Sequence, residues 1–463
     1  RQPVFDNGRQ FHHRHLKTAV TADRPDELVW VADLRADRRE DLSGDSRLGT
    51  RAGERRVKLG QALMETVLLH IRKLRVDWLM FGAVIGLMLL GGAFVLSAAI
   101  DQYEIEPLLN SYFFRQLVFY GVGLGLAAVF VVVDYHRLAG WARAAYWLTL
   151  IFLVLVLIPG IGEVRYGARR WLDLGITLIQ PSEFAKLAFI FALADFLTRP
   201  NEEMLMPGVF LKALGMTALP FILILKEPDL GSSLVFFPIG IAMMFIAGVP
   251  LRFLGKFLGA SVVVVVFVII NALYFPADWR ISLQEYQRQR LLVYFHQDFA
   301  PPNATPAERK AARALQRERT HNIRQAEISV GSGGLTGKGW GQGPQTRLGY
   351  LPRGVAHNDF IFSVIAEETG FLGSMAVLAL YTVILLKGMQ IAALARDRLG
   401  KLLAVGIVTL IFCHVFVNIG MHLRLMPVTG IPLPLLSYGG SSVLSSLIAI
   451  AVLQNIQLHR NTY

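Results

Sequence analysis

Cysteine is nearly absent: Cys413 stands alone among 463 residues. No disulfide can close within the chain, so cysteine usage says nothing about redox compartment. The beginning of the sequence lacks the apolar stretch of a cleavable signal peptide, because residues 1–56 are polar and charged. Internal repeats are missing, which disfavours the commonest transporter architectures. The formal net charge is +12. No basic patch with a fold of its own accompanies it, as a nucleic-acid-binding protein would require. Above all, charge is missing from long stretches. Hydrophobic residues make up 54% of the chain, and they gather into nearly uncharged runs. A membrane-spanning helix needs about 20 such residues in succession.

The runs predict an all-α, polytopic integral membrane protein of about ten transmembrane helices. The spans fall at 78–100, 113–133, 138–158, 180–197, 209–225, 231–250, 253–274, 360–386, 402–420 and 436–457. The connection 101–112 carries Asp101, Glu104 and Glu106 and no Lys or Arg, so it is expected outside. Arg137, Arg199, Lys212, Arg252, Lys256, Lys387, Lys401 and Arg460 then fall inside, as do both termini. The large connection 275–358 falls outside. Residues 1–56 read as a disordered cytoplasmic tail, in which His12, His13 and His15 belong to a flexible basic segment rather than a metal site. An amphipathic juxtamembrane helix is expected over 57–77, with Leu59, Leu63, Val67 and Ile71 on one face. The transmembrane domain follows over 78–457, and a short cytoplasmic end over 458–463.

Several segments break the apolar pattern. Glu183 and Lys186, three residues apart, share a helix face inside the fourth span. An ion there is costly and faces either a structural partner or a functional cavity. Lys226-Glu227-Pro228-Asp229-Leu230-Gly231 reads as a tight turn between two spans. In the large connection, Tyr286-Gln287-Arg288-Gln289-Arg290 precedes a capping box with Pro at the first helical position, Thr305-Pro306-Ala307-Glu308. A basic helix through Arg309, Lys310, Arg313, Arg317 and Arg319 should follow. The segment Gly331 to Gly341, including Ser332, Gly333, Gly334 and Lys338, can bring backbone N–H groups and a cation to a phosphate, without the spacing of a nucleotide-binding loop. Asp359, in His357-Asn358-Asp359-Phe360, falls where the connection re-enters the bilayer. It serves there either as a helix N-cap or as a chemical group at headgroup depth. Asn418 and the run containing Pro432, Pro434, Ser437, Gly439 and Gly440 read as a re-entrant segment, tolerated where protein buries it.

Taken together, these segments resemble the SEDS family (shape, elongation, division and sporulation), which includes RodA, FtsW and SpoVE. The matching pieces are Arg170-Trp171-Leu172-Asp173-Leu174-Gly175, Gln180-Pro181-Ser182-Glu183, Glu227 to Gly231, Tyr286 to Arg290, Gly331 to Gly341, His357 to Phe362 and Pro432 to Ser441. The first and fourth of these lean toward the RodA branch. The resemblance implies a ten-span glycosyltransferase of the bacterial inner membrane that polymerises lipid II into glycan strands during elongation and shape maintenance. It also implies work beside a class B penicillin-binding protein and other elongation-complex membrane proteins, and no nucleic acid. Asp359 matches the family's catalytic aspartate. The sequence departs from the pattern at Asn358, where a Thr is usual, in the extra basic helix, and in the tail over 1–56.

The residues suit that chemistry. A pyrophosphate leaves readily, so one carboxylate acting as base on the acceptor hydroxyl suffices, unlike the two carboxylates of a glycosidase. Arg288, Arg290, Lys338 or a divalent cation (Mg2+ or Mn2+) would meet the developing charge, with His357 nearby. Direct displacement implies inversion at the donor sugar. The competing classes are a lipid II flippase, with Glu183 and Lys186 lining its path, and a non-catalytic scaffold that recruits the crosslinking enzyme. Neither needs a base at Asp359.

Overall fold

The computed structural model describes residues 76–99, 111–165, 168–173, 175, 177–275, 279, 285–300, 305–351, 354 and 356–460. The tail over 1–56, nearly all of the helix expected over 57–77, and the acidic connection near 101–110 lie outside the described residues.

In lipid, each backbone polar group must be satisfied within its own segment, so the apolar runs become helices. They are α1 (Trp78–Ala98), α2 (Tyr112–Val132), a short α3 (Tyr135–Gly140), α4 (Ala142–Leu157), α5 (Pro181–Leu197), a turn of helix α6 (Asn201–Met204), α7 (Pro207–Lys226), α8 (Leu230–Leu234) running into α9 (Phe236–Ile246), and α10 (Leu251–Tyr274). After the large connection come α14 (Ile361–Leu394), α15 (Arg398–His422) and α16 (Gly440–His459). Among the described residues, seven helices are long and apolar enough to cross a membrane, and α4 and the α8–α9 segment are shorter apolar ones. With α5, which carries the charged residues, they correspond one by one to the ten predicted spans. The chain is a helical, polytopic membrane protein.

Burial sorts the helices. In α16, 83% of the most apolar window is buried, against 6% in α10, whose Val262 to Phe267 face outward. Helix α5 is buried on nearly every side. It packs with α15 and α16 at the centre, and α10 lies at the periphery.

The helical architecture carries one small addition. Between α4 and α5 the chain forms an antiparallel sheet of β1 (Gly162–Arg165), β2 (Ala168–Asp173) and β3 (Leu178–Ile179). Strands this short show too few alternations to be read beside long apolar runs. The pairing of Leu172 with both Gly162 and Ile179 sets the position of Arg170 on the middle strand.

The large connection holds α11 (Glu285–Tyr294), α12 (Pro306–Ser332) and α13 (Pro344–Arg347). The capping box forms as expected, Thr305 Oγ1 accepting from the Glu308 N–H and Glu308 accepting from the Thr305 N–H. Helix α12 runs well past Arg319 because Ala326 and Ser329 continue a buried face. It stops at the glycines.

Those glycines dock on a break in α14. Gly370 has φ 67° and ψ −158°, dividing α14 into a short helix over 361–369 and a span over 371–394. The Phe371 and Leu372 N–H groups donate to the carbonyls of Gly334 and Leu335 (2.8 and 3.1 Å). A Cβ on Gly333 would lie 2.0 Å from the Ala366 carbonyl, and one on Gly337 2.1 Å from that of Glu368. Gly337 also has φ +78°, where an L side chain adds backbone strain. Gly337→Ala should therefore lower stability by about 1–3 kcal/mol or more. Thermal unfolding in detergent measures this. An unchanged midpoint would contradict the docking.

Candidate active site

Asp359 immediately precedes Phe360, the residue at the N-cap position of α14. The helix has no side-chain cap there, so the capping role open to Asp359 in the sequence is not the one it takes. Its backbone carbonyl accepts from Asn418 Nδ2 (3.2 Å), which also donates to the Ile431 carbonyl (2.8 Å). Asn418 thus ties the turn before α14 to the segment between α15 and α16.

That segment is enclosed by protein over Leu433 to Ser437. Ser437 Oγ donates to the Asn358 carbonyl (2.7 Å) and accepts from the Leu433 N–H (2.8 Å), and the Tyr438 N–H donates to the His357 carbonyl (3.0 Å). Tyr381 and Tyr120 hydroxyls donate to the carbonyls of Pro434 and Leu435. Gln116 holds the Ser437 carbonyl and the Gly439 N–H, and Gly440 begins α16 against Phe119. His357 stacks on Tyr112 at 4.1 Å between ring centroids and meets Tyr438 edge-on. In this arrangement His357 packs the turn that carries Asp359.

Three further segments reach the carboxylate. Arg170 comes from β2 and donates through Nη2 to the Pro228 carbonyl. Its buried Nε has no hydrogen-bond partner among the described residues. Arg290, on α11, donates through Nη1 to the Thr429 carbonyl (3.3 Å), next to Gly430, where a Cβ would lie 3.4 Å from Asp359 Oδ2. Asp229 caps α8 by accepting from the Ser232 N–H (3.1 Å) and also accepts from Gln180 Nε2 (3.1 Å). Burial pushes the Asp359 carboxyl up to about 6; Arg170 and Arg290 hold it down, and Asp229 raises it. Burial, reinforced by Asp229 and opposed by Arg170, pushes Glu227 up to about 9. Both its carboxyl oxygens lack a hydrogen-bond partner among the described residues.

The charged break 227–231 is therefore more than a surface turn. Glu227 and Asp229 are buried, and Gly231 is forced by the Thr429 carbonyl, 2.8 Å from where its Cβ would be. Asp229, Glu227 and Arg170 are the residues that sequence reasoning passed over as site members. The signal was present: two acids beside Pro in a membrane protein, and an Arg within a matching motif. Arg288 lies on α11 with Arg290, half-buried.

Lys338, expected at a pyrophosphate, pairs with buried Glu367 (Nζ–Oε1 2.9 Å) and donates to Ser332 Oγ (2.7 Å). The Lys338 and Gly339 N–H groups donate to the carbonyls of Glu367 and Glu368. Glycine density allows close backbone approach, as reasoned, and Gly333, Gly334 and Gly337 meet the backbone of α14. Glu183 and Lys186 do form the expected buried pair, 2.7 Å apart. Lys186 also reaches His414 Nε2 (2.9 Å), Ser445 Oγ donates to Glu183 Oε2 (3.2 Å), and His414 is hydrogen-bonded to the Pro432 backbone. Among the described residues no group of three or more His, Cys, Asp or Glu is placed to hold a metal ion.

The arrangement resembles known proteins along nearly all of the described chain. The peptidoglycan glycosyltransferase MrdB of Escherichia coli (strain K12) is 36% identical over 341 residues, 73% of this chain and 84% of that protein. The stage V sporulation protein E of Bacillus subtilis (strain 168) is 38% identical over 379 residues, 80% and 93% of the two. A solved peptidoglycan synthase complex, described as coordinating polymerization and crosslinking, contains a chain that superposes with a TM-score of 0.67 at 28% identity, covering 84% of this chain and 99% of that one. The family model of the FtsW, RodA and SpoVE cell cycle proteins matches residues 77–462, and the chain belongs to that family.

Proposed function

We propose that this chain is a peptidoglycan glycosyltransferase that polymerises lipid II, with Asp359 as general base. The observation that carries the reading is the convergence on one carboxylate of segments far apart in sequence: β2, the 227–231 break, α11 and the re-entrant segment. The acceptor hydroxyl gives its proton to Asp359 as its oxygen attacks the anomeric carbon of the donor sugar. The bond from that carbon to the lipid pyrophosphate breaks, and the pyrophosphate leaves with the electron pair. Arg170 and Arg290 face the charge that develops. Displacement from the opposite face inverts an α-linked donor to a β-linked product. A carboxyl ionising near 6 is largely charged at neutral pH and more basic than an exposed aspartate.

The distribution of Lys and Arg supports placing the Asp359 end outside a bacterial inner membrane and both chain termini inside. A class B penicillin-binding protein that crosslinks the strands is the partner this reading implies. A flippase would need a hydrated polar path, whereas Glu183, Lys186 and His414 are buried and bonded to one another.

Purified chain given lipid II and its crosslinking partner should make glycan polymer. Failure to do so, with folded protein and active partner, would overturn the reading. Arg170→Gln should lower kcat by about 10²-fold, the scale of losing one charge-stabilising donor. It should also move the acid limb of the pH profile upward, because Arg170 holds the Asp359 carboxyl down. A fall in rate with an unmoved limb would place Arg170 outside the site's electrostatics.

A further inference from the structure

Helix α12 carries a feature that the reaction above does not use. Arg313, Arg317, His321 and Arg324 follow one another at spacings of four, four and three, so they share a face. The row runs about 16 Å along the helix axis. With Gln316 and Thr320 they line a groove of 440 Å³ in which no carboxylate stands among the described residues. Among the described residues, Arg313, Arg317 and Arg324 make no ion pair or hydrogen bond. Glu308 is engaged in the capping box and Glu327 with Arg424 (2.9 Å).

The face is held in place relative to Asp359. Gln316 Nε2 donates to the Gln297 carbonyl (3.1 Å), and Ser363 Oγ donates to the Ala326 carbonyl (3.2 Å). Ser363 lies in the short helix that follows Asp359. A fixed row of like charges repels itself and concentrates anions around it. Its length suits an extended polyanion better than a single small anion. A helix lying on a membrane would present large apolar side chains. In α12, Ile328, near the far end, is the exposed large apolar residue among those described.

We infer that this face of α12 binds the peptide carboxylates of the newly made strand, an inference that rests on the glycosyltransferase reading. Peptidoglycan strands bear peptides at regular intervals, and each peptide ends in a carboxylate. Guanidinium groups match carboxylates two hydrogen bonds at a time. Held there, the product stays beside the site between additions, and chains grow longer before release.

The test uses the full chain carrying Asp359→Asn, which cannot extend a strand. The probes are fluorescent, uncrosslinked glycan strands with their peptides intact or enzymatically removed. Peptide-bearing strands should bind about tenfold more tightly than peptide-free ones, and the difference should shrink with added salt. Adding R313Q, R317Q and R324Q should abolish it, whereas Lys at the same three positions, which keeps the charge but not the paired hydrogen bonds, should retain part of it. In the chain with Asp359 intact, the triple Gln variant should start strands at the normal rate and make polymers several-fold shorter. Equal binding of the two probes overturns the inference, as does equal loss in the Gln and Lys variants, which would mark a structural role. Loss of binding to phosphatidylglycerol vesicles with strand binding unchanged would assign the face to a membrane and also overturn it. A chain that polymerises lipid II but does not discriminate between the probes defeats this inference alone. A chain that makes no polymer defeats the reading beneath it.

Discussion

Asp359→Asn is expected to cut glycan polymerisation by about 10²- to 10⁴-fold, the range a positioned general base contributes. Asn keeps the size of the side chain and cannot accept the proton. The backbone carbonyl held by Asn418 is unaffected, so expression, insertion and thermal midpoint should stay near those of the parent chain. The pH profile provides an independent check. A carboxyl raised to about 6 is protonated and inert as a base below that value and ionised above it. Activity should therefore rise with pH, reach half its plateau near 6, and fall about tenfold per unit on the acid side. Polymer yield at matched protein level measures the first effect, and initial rate against pH the second. Near-normal polymer from the folded Asn variant would remove Asp359 from the mechanism.

Breaking the Glu183–Lys186 pair is expected to cost about 3–5 kcal/mol, because the remaining charge stays buried without its partner. Glu183→Ala strands Lys186 against His414, and Lys186→Ala strands Glu183 against Ser445. The damage should reach activity by a physical route. His414 bonds to the backbone at Pro432, next to Ile431, whose carbonyl shares Asn418 with Asp359. Exchanging the two residues, Glu183→Lys with Lys186→Glu, restores neutrality but not the directional bonds to His414 and Ser445. It should recover stability more fully than polymer synthesis. Thermal unfolding in detergent and polymer yield are the two readouts. A single alanine change silent in both would mean that the pair is not buried as described.

The helices were legible because each span announces itself through a run of apolar residues, and the re-entrant segment because Pro and Gly cannot continue a helix. Glu183 and Lys186 were legible as a pair because a spacing of three fixes their shared face, but His414 was not, lying 228 residues beyond Lys186 in sequence. The same limit hid Arg170 and Asp229. Nothing local in β2 or in the 227–231 break says that both point at residue 359; that follows from how α5 begins and α7 ends beside the segment between α15 and α16. The Gly331 to Gly341 stretch was ambiguous for a related reason. Glycine density reports close approach, and the sequence does not say whether the thing approached is ligand or protein.

The break at Gly370 has a consequence for cooperativity. Backbone bonds at the break join α14 to the Gly334–Leu335 turn, so the short helix over 361–369 is tied sideways to the large connection as well as along the chain to the span over 371–394. Its neighbours in an opening event are α12 and the glycine turn together with α15, through Ser363 and His422, and α1, through Ser97 and Glu368, so these contacts loosen as one unit. Asp359 sits at the edge of that unit. Displacing the carboxylate therefore costs contacts in the large connection and in the helix bundle together.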